Sequence, residues 1–487
     1  MSTTHTLSPE TELRLEVGRA TCSVVLKDGS AELYGAEMAQ NLSVKLTATK
    51  VAIYTWHGCT LEITNEDQLD MIYESSETDS NISFVNTHAQ LEALRDAALS
   101  SALNIEQALS GGPSAAINSN TEEAKKAQGP RVLLVGPADC GKSTLARILT
   151  AYAVKLGRTP LLVDIDPSQN MLSVPGTLAV APASVDAVNV DSYKTCSIMA
   201  GAMAPFTLWY GSEDATSNED LYKAQVKKLA TVIDQRLAND VDLRASGMII
   251  NTSGSIDGAG YDYLLHAIDS FRIDVVLVLG HDRLYNLIRR DTNKKAAAAE
   301  ESKMTDVDFV PPKIINLTRS GGCVTRDSSF RRQQRAASIK RYFYGDMISP
   351  KPNESGVIPA PQPQYNPSLV EVSFSDVKLF KVSRVSLSAS LLPVSAAQAT
   401  DPIQLEQIEP TTVGQNFTKK VLAVCHPLAV ENYTKSVKAR DLYLSGIAGF
   451  VVVEKVDTTR SSFSLLSPCV GSLPSMHFLT GDISWHE

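Results

Sequence analysis

The sequence predicts an α/β fold: a central domain built on a parallel sheet, with a small β-sandwich before it and a small β-rich domain after it. Three features carry that expectation. Apolar and polar residues alternate at period two through about the first 85 residues, continuous apolar strands alternate with helical patterns in the middle of the chain, and strand signals return near the end.

In the N-terminal stretch the alternation runs through Leu13, Leu15 and Val17, then Val24–Leu26, Ala31–Tyr34 and Val44–Ile63. Turn residues such as Lys27–Ser30 punctuate these runs, so a small sandwich or barrel is expected. Asn86 and Thr87 read as a helix cap, after which Leu91, Leu94, Ala98 and Leu103 recur at helical spacing. Residues 1–109 are therefore assigned to an N-terminal β-rich domain plus a connecting helix. Residues 110–129 have almost no large apolar side chain and read as a flexible linker.

From residue 130 to 345 the texture is α/β. The apolar run Val132–Val135 leads into Gly136–Thr144 (GPADCGKST), which leads into a helical stretch. A G-x-x-x-x-G-K-[ST] loop between strand and helix turns backbone N–H groups inward around phosphate oxygens, and the helix N-terminus adds partial positive charge. This makes the central domain a P-loop NTPase domain, with Lys142 reaching the outer phosphates and the Ser143 hydroxyl on Mg²⁺. Cys140 lies inside the loop, where a helix N-terminus can lower a thiol pKa; inert packing is the alternative. The helix from Ser143 to about Leu156 and the strand Pro160–Asp164 complete a βαβ unit, with further buried strands at Gly247–Asn251 and Val275–Gly280.

Carboxylates stand where the Pro160–Asp164 strand runs out, in the run Asp164–Gln169. Asp166 and Gln169 lie past the strand, nearer the ligand edge of such a sheet, where a carboxylate can orient a cation or accept a proton from an attacking hydroxyl. The bland alternative for Asp166 is a turn cap before Pro167. Asn251–Gly254 ends another strand and could offer amide or hydroxyl contacts. On a helix, Arg331 and Arg335 fall one turn apart with Lys340 beyond, either as a solvated basic face or as a lid over a moving phosphate. Residues 346–366, rich in Pro, Ser and Asn, mark a linker, and 367–487 read as a C-terminal β-rich domain with few helical signals.

A net charge of −9 argues against a surface devoted to nucleic acid, though a local basic groove is compatible with it. Seven cysteines stand singly, without C-x-x-C pairs, and read as reduced thiols. No apolar run approaches a membrane span. His281, His426 and His477 lack ligand-like spacing. Two readings stay open on these grounds: a kinase with Asp166 as base, or a nucleotide-dependent switch or scaffold.

Over nearly its full length the chain resembles the Clp family of pre-mRNA cleavage and polyadenylation factor subunits, whose animal members are RNA 5′-hydroxyl polynucleotide kinases. The matching stretches are Glu10–Arg14, Lys50–Cys59, Gly136–Thr144, Asp166–Gln169 with Val174–Thr177, Ile250–Thr252, Val275–Leu284 and Ile339–Gly345, with Gly449–Val453 and Leu466–Pro468 in the last domain. The resemblance implies ATP and Mg²⁺ held by Gly136, Asp139, Cys140, Gly141, Lys142, Ser143 and Thr144, with Glu12 and Lys50 contacting the nucleotide from the N-terminal domain. In kinase-active relatives an aspartate matching Asp166 activates the 5′-hydroxyl and assists the metal, lid arginines steady the phosphate, and a tryptophan stacks on RNA. Asp166 and Arg335 are kept, while Ser255 stands at the tryptophan position and Lys340 at the second lid arginine. These departures resemble fungal members that bind ATP without detectable transfer. The resemblance thus implies a nuclear, ATP-binding assembly subunit required for endonucleolytic cleavage in pre-mRNA 3′-end formation. Its expected partners are a scaffold that binds the RNA polymerase II C-terminal domain and other cleavage subunits; RNA contact is indirect or weak, and no membrane is involved. The alternative is an active polynucleotide 5′-hydroxyl kinase.

Overall fold

The computed structural model describes residues 2–18, 20–109, 127–185, 188–190, 204–302, 309–348, 362–384, 402–436 and 438–486. Most of the two expected linkers, residues 110–126 and 349–361, and Cys196 lie outside the described residues. The chain forms two compact units, neither of them continuous in sequence: residues 1–164, 180–205 and 230–326, and residues 165–179, 206–229 and 327–487.

In the first unit, the alternating N-terminal residues build nine strands: β1 (Ser2–Leu7), β2 (Thr11–Val17), β3 (Cys22–Gly29), β4 (Glu32–Leu33), β5 (Ala36–Glu37), β6 (Ser43–Leu46), β7 (Thr49–Thr55), β8 (Cys59–Thr64) and β9 (Leu69–Ser75). They form two sheets, ordered β1-β8-β3-β6 and β5-β4-β7-β2-β9, and enclose a core that includes Leu13, Leu15, Val17, Val24, Leu26 and Leu61. The sandwich is the expected one. Period two sends the other residues of β2 to the opposite face, where Glu12 pairs across from Tyr54, and Glu16 across from Lys50.

The connecting helix runs Asp79–Leu109, one to two turns earlier than Asn86–Thr87 would start it. Thr87 lies inside it and its hydroxyl donates to the Ser83 carbonyl at 2.7 Å, so the residue expected as a cap bonds back within the helix. Arg95 on this helix is buried, donates to the Ser246 carbonyl at 3.0 Å and pairs with Glu92 at 3.1 Å. These bonds fasten the sandwich's exit to the central sheet.

Five strands of that sheet belong to the first unit, ordered Leu161–Asp164, Met248–Asn251, Arg131–Val135, Val275–Leu279, Lys313–Leu317, and every pairing is parallel. Their residues are buried on both faces except in the last strand, which explains the unbroken apolar runs. The Arg131–Val135 and Leu161–Asp164 strands are not direct neighbours, as the simplest βαβ unit would make them. Met248–Asn251 is hydrogen-bonded between them. The phosphate-loop helix, Lys142–Lys155, also meets the sandwich: Tyr152 O–H donates to Glu32 at 2.6 Å and Lys155 pairs with Glu37 at 2.6 Å.

The second unit holds a seven-stranded sheet in the order Ser368–Ser373, Ser462–Ser467, Ile447–Asp457, Val421–Cys425, His477–Thr480, Lys378–Arg384, Ile403–Ile408. Its pairings are antiparallel except where Lys378–Arg384 meets His477–Thr480. Two short helices, Pro427–Ser436 and Arg440–Tyr443, join the expected strands. The basic segment forms the helix Ser328–Tyr344, capped by Asp327, whose carboxylate accepts the Phe330 N–H at 2.6 Å. Ile339 and Phe343 on its inner face pack with Trp209, Phe380, Phe450 and Trp485. Among the described residues, no helix is long and apolar enough to cross a membrane.

Candidate nucleotide site

Gly136–Thr144 begins where the Arg131–Val135 strand ends, and its shape depends on two glycines. Gly136 has φ +155° and a side chain there would meet Cys140 Sγ at 2.8 Å and the Leu279 carbonyl at 2.9 Å. Gly141 has φ +96° and serves as the N-cap of the phosphate-loop helix, without a side-chain cap bond and with no acidic residue in the first turn. Neither a side-chain cap nor a first-turn carboxylate competes there with an anion for the helix dipole. Asp139 also takes a left-handed conformation, at φ +59°.

Lys142 is buried, and its ammonium donates to the Gly136 and Pro137 carbonyls at 2.7 Å each. Those bonds fold the cation over the loop. Ser143 Oγ donates to Asn251 Oδ1 at 3.4 Å, and Asn251 Nδ2 donates to Asp164 Oδ1 at 3.1 Å. Asp164 and Asn251 are fully buried. The intervening strand is what brings Asn251 between Ser143 and Asp164. The Asn251–Gly254 run also abuts the loop: Thr252 Oγ1 donates to the Leu134 carbonyl at 2.7 Å, and a side chain at Gly254 would meet Ala138 Cα at 2.7 Å.

Glu12 reaches this region through a segment that sequence reasoning missed, Ser320–Arg326. A side chain at Gly322 would meet Arg14 Nε at 3.3 Å and Glu12 Oε1 at 3.5 Å, while the Arg326 N–H donates to Asp139 Oδ2 at 3.0 Å. One segment thus touches both β2 and the phosphate loop. Glu12 itself is buried and accepts from Arg14 Nε at 2.5 Å. Burial pushes the Glu12 carboxyl pKa up, against the pull of Arg14. Arg14 also lies over the Tyr73 ring at 5.6 Å. Lys50, on the same face of the sheet, pairs with Glu16 at 2.5 Å.

Of the remaining candidates, Ser255 belongs to the first unit and Asp166, Arg335 and Lys340 to the second. Asp166 belongs to the second unit, where its Oδ1 accepts the Ser168 N–H at 2.9 Å. Arg335, also in the second unit, pairs with Glu213 at 2.8 Å. Lys340 is exposed on the same helix, and Ser255 is exposed on the loop after Met248–Asn251. Arg14 and the Arg326 amide were within reach of sequence only in part: period two puts Arg14 beside Glu12 on one face, but no local pattern ties residue 326 to residue 139.

A parallel sheet, a glycine-hinged loop with a buried lysine and a helix N-terminus free of acidic residues define a P-loop protein. Three family models match in series: the N-terminal β-sandwich domain of polyadenylation factor over residues 6–98, the P-loop of mRNA cleavage and polyadenylation factor CLP1 over 136–345, and pre-mRNA cleavage complex II protein Clp1 over 365–487. The human polyribonucleotide 5′-hydroxyl-kinase Clp1 is 33% identical over 100% of this chain and 97% of its own length. A CLP1 homologue of Arabidopsis thaliana is 31% identical over 99% of this chain and 94% of its own. Among solved structures, wild-type Clp1p in complex with a Pcf11p fragment superposes with a TM-score of 0.75 at 21% identity, covering 100% of this chain and 99% of that one. The chain belongs to the Clp1 family of pre-mRNA cleavage and polyadenylation factors.

Proposed function

We propose that this chain binds ATP with Mg²⁺ at Gly136–Thr144 and works as an assembly subunit of the nuclear cleavage and polyadenylation complex, required for cleavage of pre-mRNA at its 3′ end. The observation that carries the reading is the coupling of the phosphate loop to the N-terminal sheet through Ser320–Arg326, which gives a bound nucleotide purchase on separate parts of the chain. The residues fit the ligand. Backbone N–H groups of the loop and Lys142 would hold phosphates, Glu12 and Lys50 would approach the nucleotide from the sandwich, and Ser143 would hold the metal with support from Asn251 and Asp164. Asp166 is retained as a further metal candidate. Mg²⁺ supplies neutralisation of phosphate charge.

The partner proposed is a scaffold subunit that also binds the RNA polymerase II C-terminal domain; a Clp1p–Pcf11p complex among the fold's solved relatives supports that class of partner. Other cleavage subunits would join through the same assembly. The kinase reading is supported by relatives described as polyribonucleotide 5′-hydroxyl-kinases, and it would use Asp166 as base with Lys142 and Arg335 on the phosphate. Against it stand Ser255, which offers no aromatic surface for a base, and Lys340, which lacks the bidentate geometry of arginine. Incubation of purified protein with a 5′-hydroxyl oligoribonucleotide and labelled ATP separates the two. The scaffold reading expects no labelled RNA; transfer that disappears in Lys142→Ala would establish the kinase.

A further inference from the structure

Cys140 and Cys323 lie 183 positions apart in the sequence, yet both border Gly141 of the phosphate loop. Cys140 precedes Gly141 and is buried, with its sulfur against Gly136 and 3.9 Å from the Lys142 ammonium. Cys323 comes from the segment that bridges to β2, and its Sγ lies 3.0 Å from where a side chain on Gly141 would begin. Cys140 is also among the groups close enough to act on the Cys323 thiol.

Their surroundings differ from those of the other described cysteines. Cys22 and Cys425 are enclosed in apolar cores that push their thiols up to about 11 and about 12, and Cys469 is exposed. Cys323 is half-exposed, and although burial pushes its thiol up, Arg319 hydrogen-bonds the sulfur and Arg326 adds a second cation. Arg319 Nη2 also donates to the Cys323 carbonyl at 3.0 Å, holding the residue beside the loop. Arg319 and Arg326 oppose the effect of burial at Cys323, and cations beside a thiol favour its reactive thiolate form.

We propose that Cys140 and Cys323 form an oxidative modification site at which hydrogen peroxide generates a disulfide across the phosphate loop. The Cys323 thiolate attacks one peroxide oxygen and the O–O bond breaks, giving a sulfenic acid and hydroxide, which takes a proton to become water. The Cys140 thiolate then attacks the sulfenic sulfur, the S–O bond breaks and hydroxide leaves, taking a proton from solvent to become a second water. Two thiols are oxidised by two electrons, and peroxide is reduced to two waters. The bond would pin Ser320–Arg326 against Gly141 and distort the N–H cradle, so oxidation lowers nucleotide affinity. This last consequence rests on the phosphate loop binding ATP, as proposed above.

The test uses the full chain, reduced and then exposed to hydrogen peroxide with and without Mg-ATP, alkylated, and digested with trypsin without reductant. Mass spectrometry is expected to find the peptide 132–142 joined to 320–326, less of it when ATP is present, and none in Cys323→Ser or after dithiothreitol. Affinity for a fluorescent ATP analogue should fall by about tenfold or more on oxidation, recover on reduction, and stay constant in Cys323→Ser. Recovery of both peptides singly alkylated, with oxidation confined to Cys469, would overturn the proposal. If the reduced protein binds no analogue, the nucleotide reading fails while the joined peptide still decides the thiol chemistry.

Discussion

The first unit carries Glu12, Arg14, Arg95, Arg131, Lys142, Asp164 and Arg244 in its interior, whereas the buried polar side chains described in the second are uncharged, among them Asn170, Thr207, Asn218 and Gln225. In their place the second unit stacks aromatics: Trp209 against Phe450 at 5.8 Å, and Phe343 against Trp485 at 6.0 Å. Buried charge weakens a core unless each group is paired, so it is retained where the charge has work to do. By this measure the first unit keeps buried charges held by ion pairs and hydrogen bonds, and the second is packed through apolar and aromatic side chains.

Four experiments probe that contrast. The largest effect is expected from Phe450→Ala, which empties an aromatic cluster and should cost about 3–5 kcal/mol of stability in denaturant unfolding. Nucleotide binding by the folded fraction should stay unchanged. Arg14→Ala leaves Glu12 buried without its ion partner and should cost about 3 kcal/mol, with nucleotide binding weakened as well. A variant that unfolds like the parent would mean that Glu12 finds water instead.

Lys142→Ala should weaken ATP binding by roughly 10- to 150-fold, the range expected for lost hydrogen bonds from a charged group, and calorimetry would measure it. Stability without nucleotide should change less, because the ammonium's bonds to the Gly136 and Pro137 carbonyls stay within its own loop.

The smallest effect is a pH dependence. Burial raises the carboxyl pKa of Glu12, Glu32 and Asp274 above their ordinary values, so their protonated forms favour the folded first unit. That contribution is fully present below the unfolded pKa and is lost as pH rises through the folded values. In the second unit the Asp457 pKa is lowered, first by its bond from the Arg460 N–H, so its contribution is present above the unfolded pKa and lost as pH falls through the folded value. Hydrogen exchange of the two units between about pH 4 and about pH 8 should show opposite trends, and Glu12→Gln should flatten the first. Parallel trends would remove the distinction.

Much of the fold was legible because periodicity is local: Leu13, Leu15 and Val17 announce a half-buried strand, and Val132–Val135 a fully buried one. The phosphate loop was legible for the same reason, since its glycines and Lys142 are contiguous. The order of strands was not. Nothing between residues 136 and 160 reveals that Met248–Asn251 inserts between the first two central strands, and so the link from Ser143 through Asn251 to Asp164 stayed hidden. The helix start at Asp79 was missed because Asn86 and Thr87 have cap chemistry, while the helix itself supplied the Ser83 carbonyl for Thr87. Contacts such as Arg326 with Asp139 depend on tertiary closure over 187 residues, which no residue pattern encodes.

The central claim is that nucleotide stabilises the first unit from the phosphate loop outward to the sandwich. Hydrogen exchange of the full chain with and without saturating Mg-ATP tests it most directly. The account predicts slower exchange at residues 136–144, 250–254 and 320–326 and in β2, worth about 2.7 kcal/mol at a ligand concentration about 100 times Kd, and no slowing in Lys142→Ala. Exchange unchanged by ATP in the parent protein, or slowed equally in the variant, would contradict it.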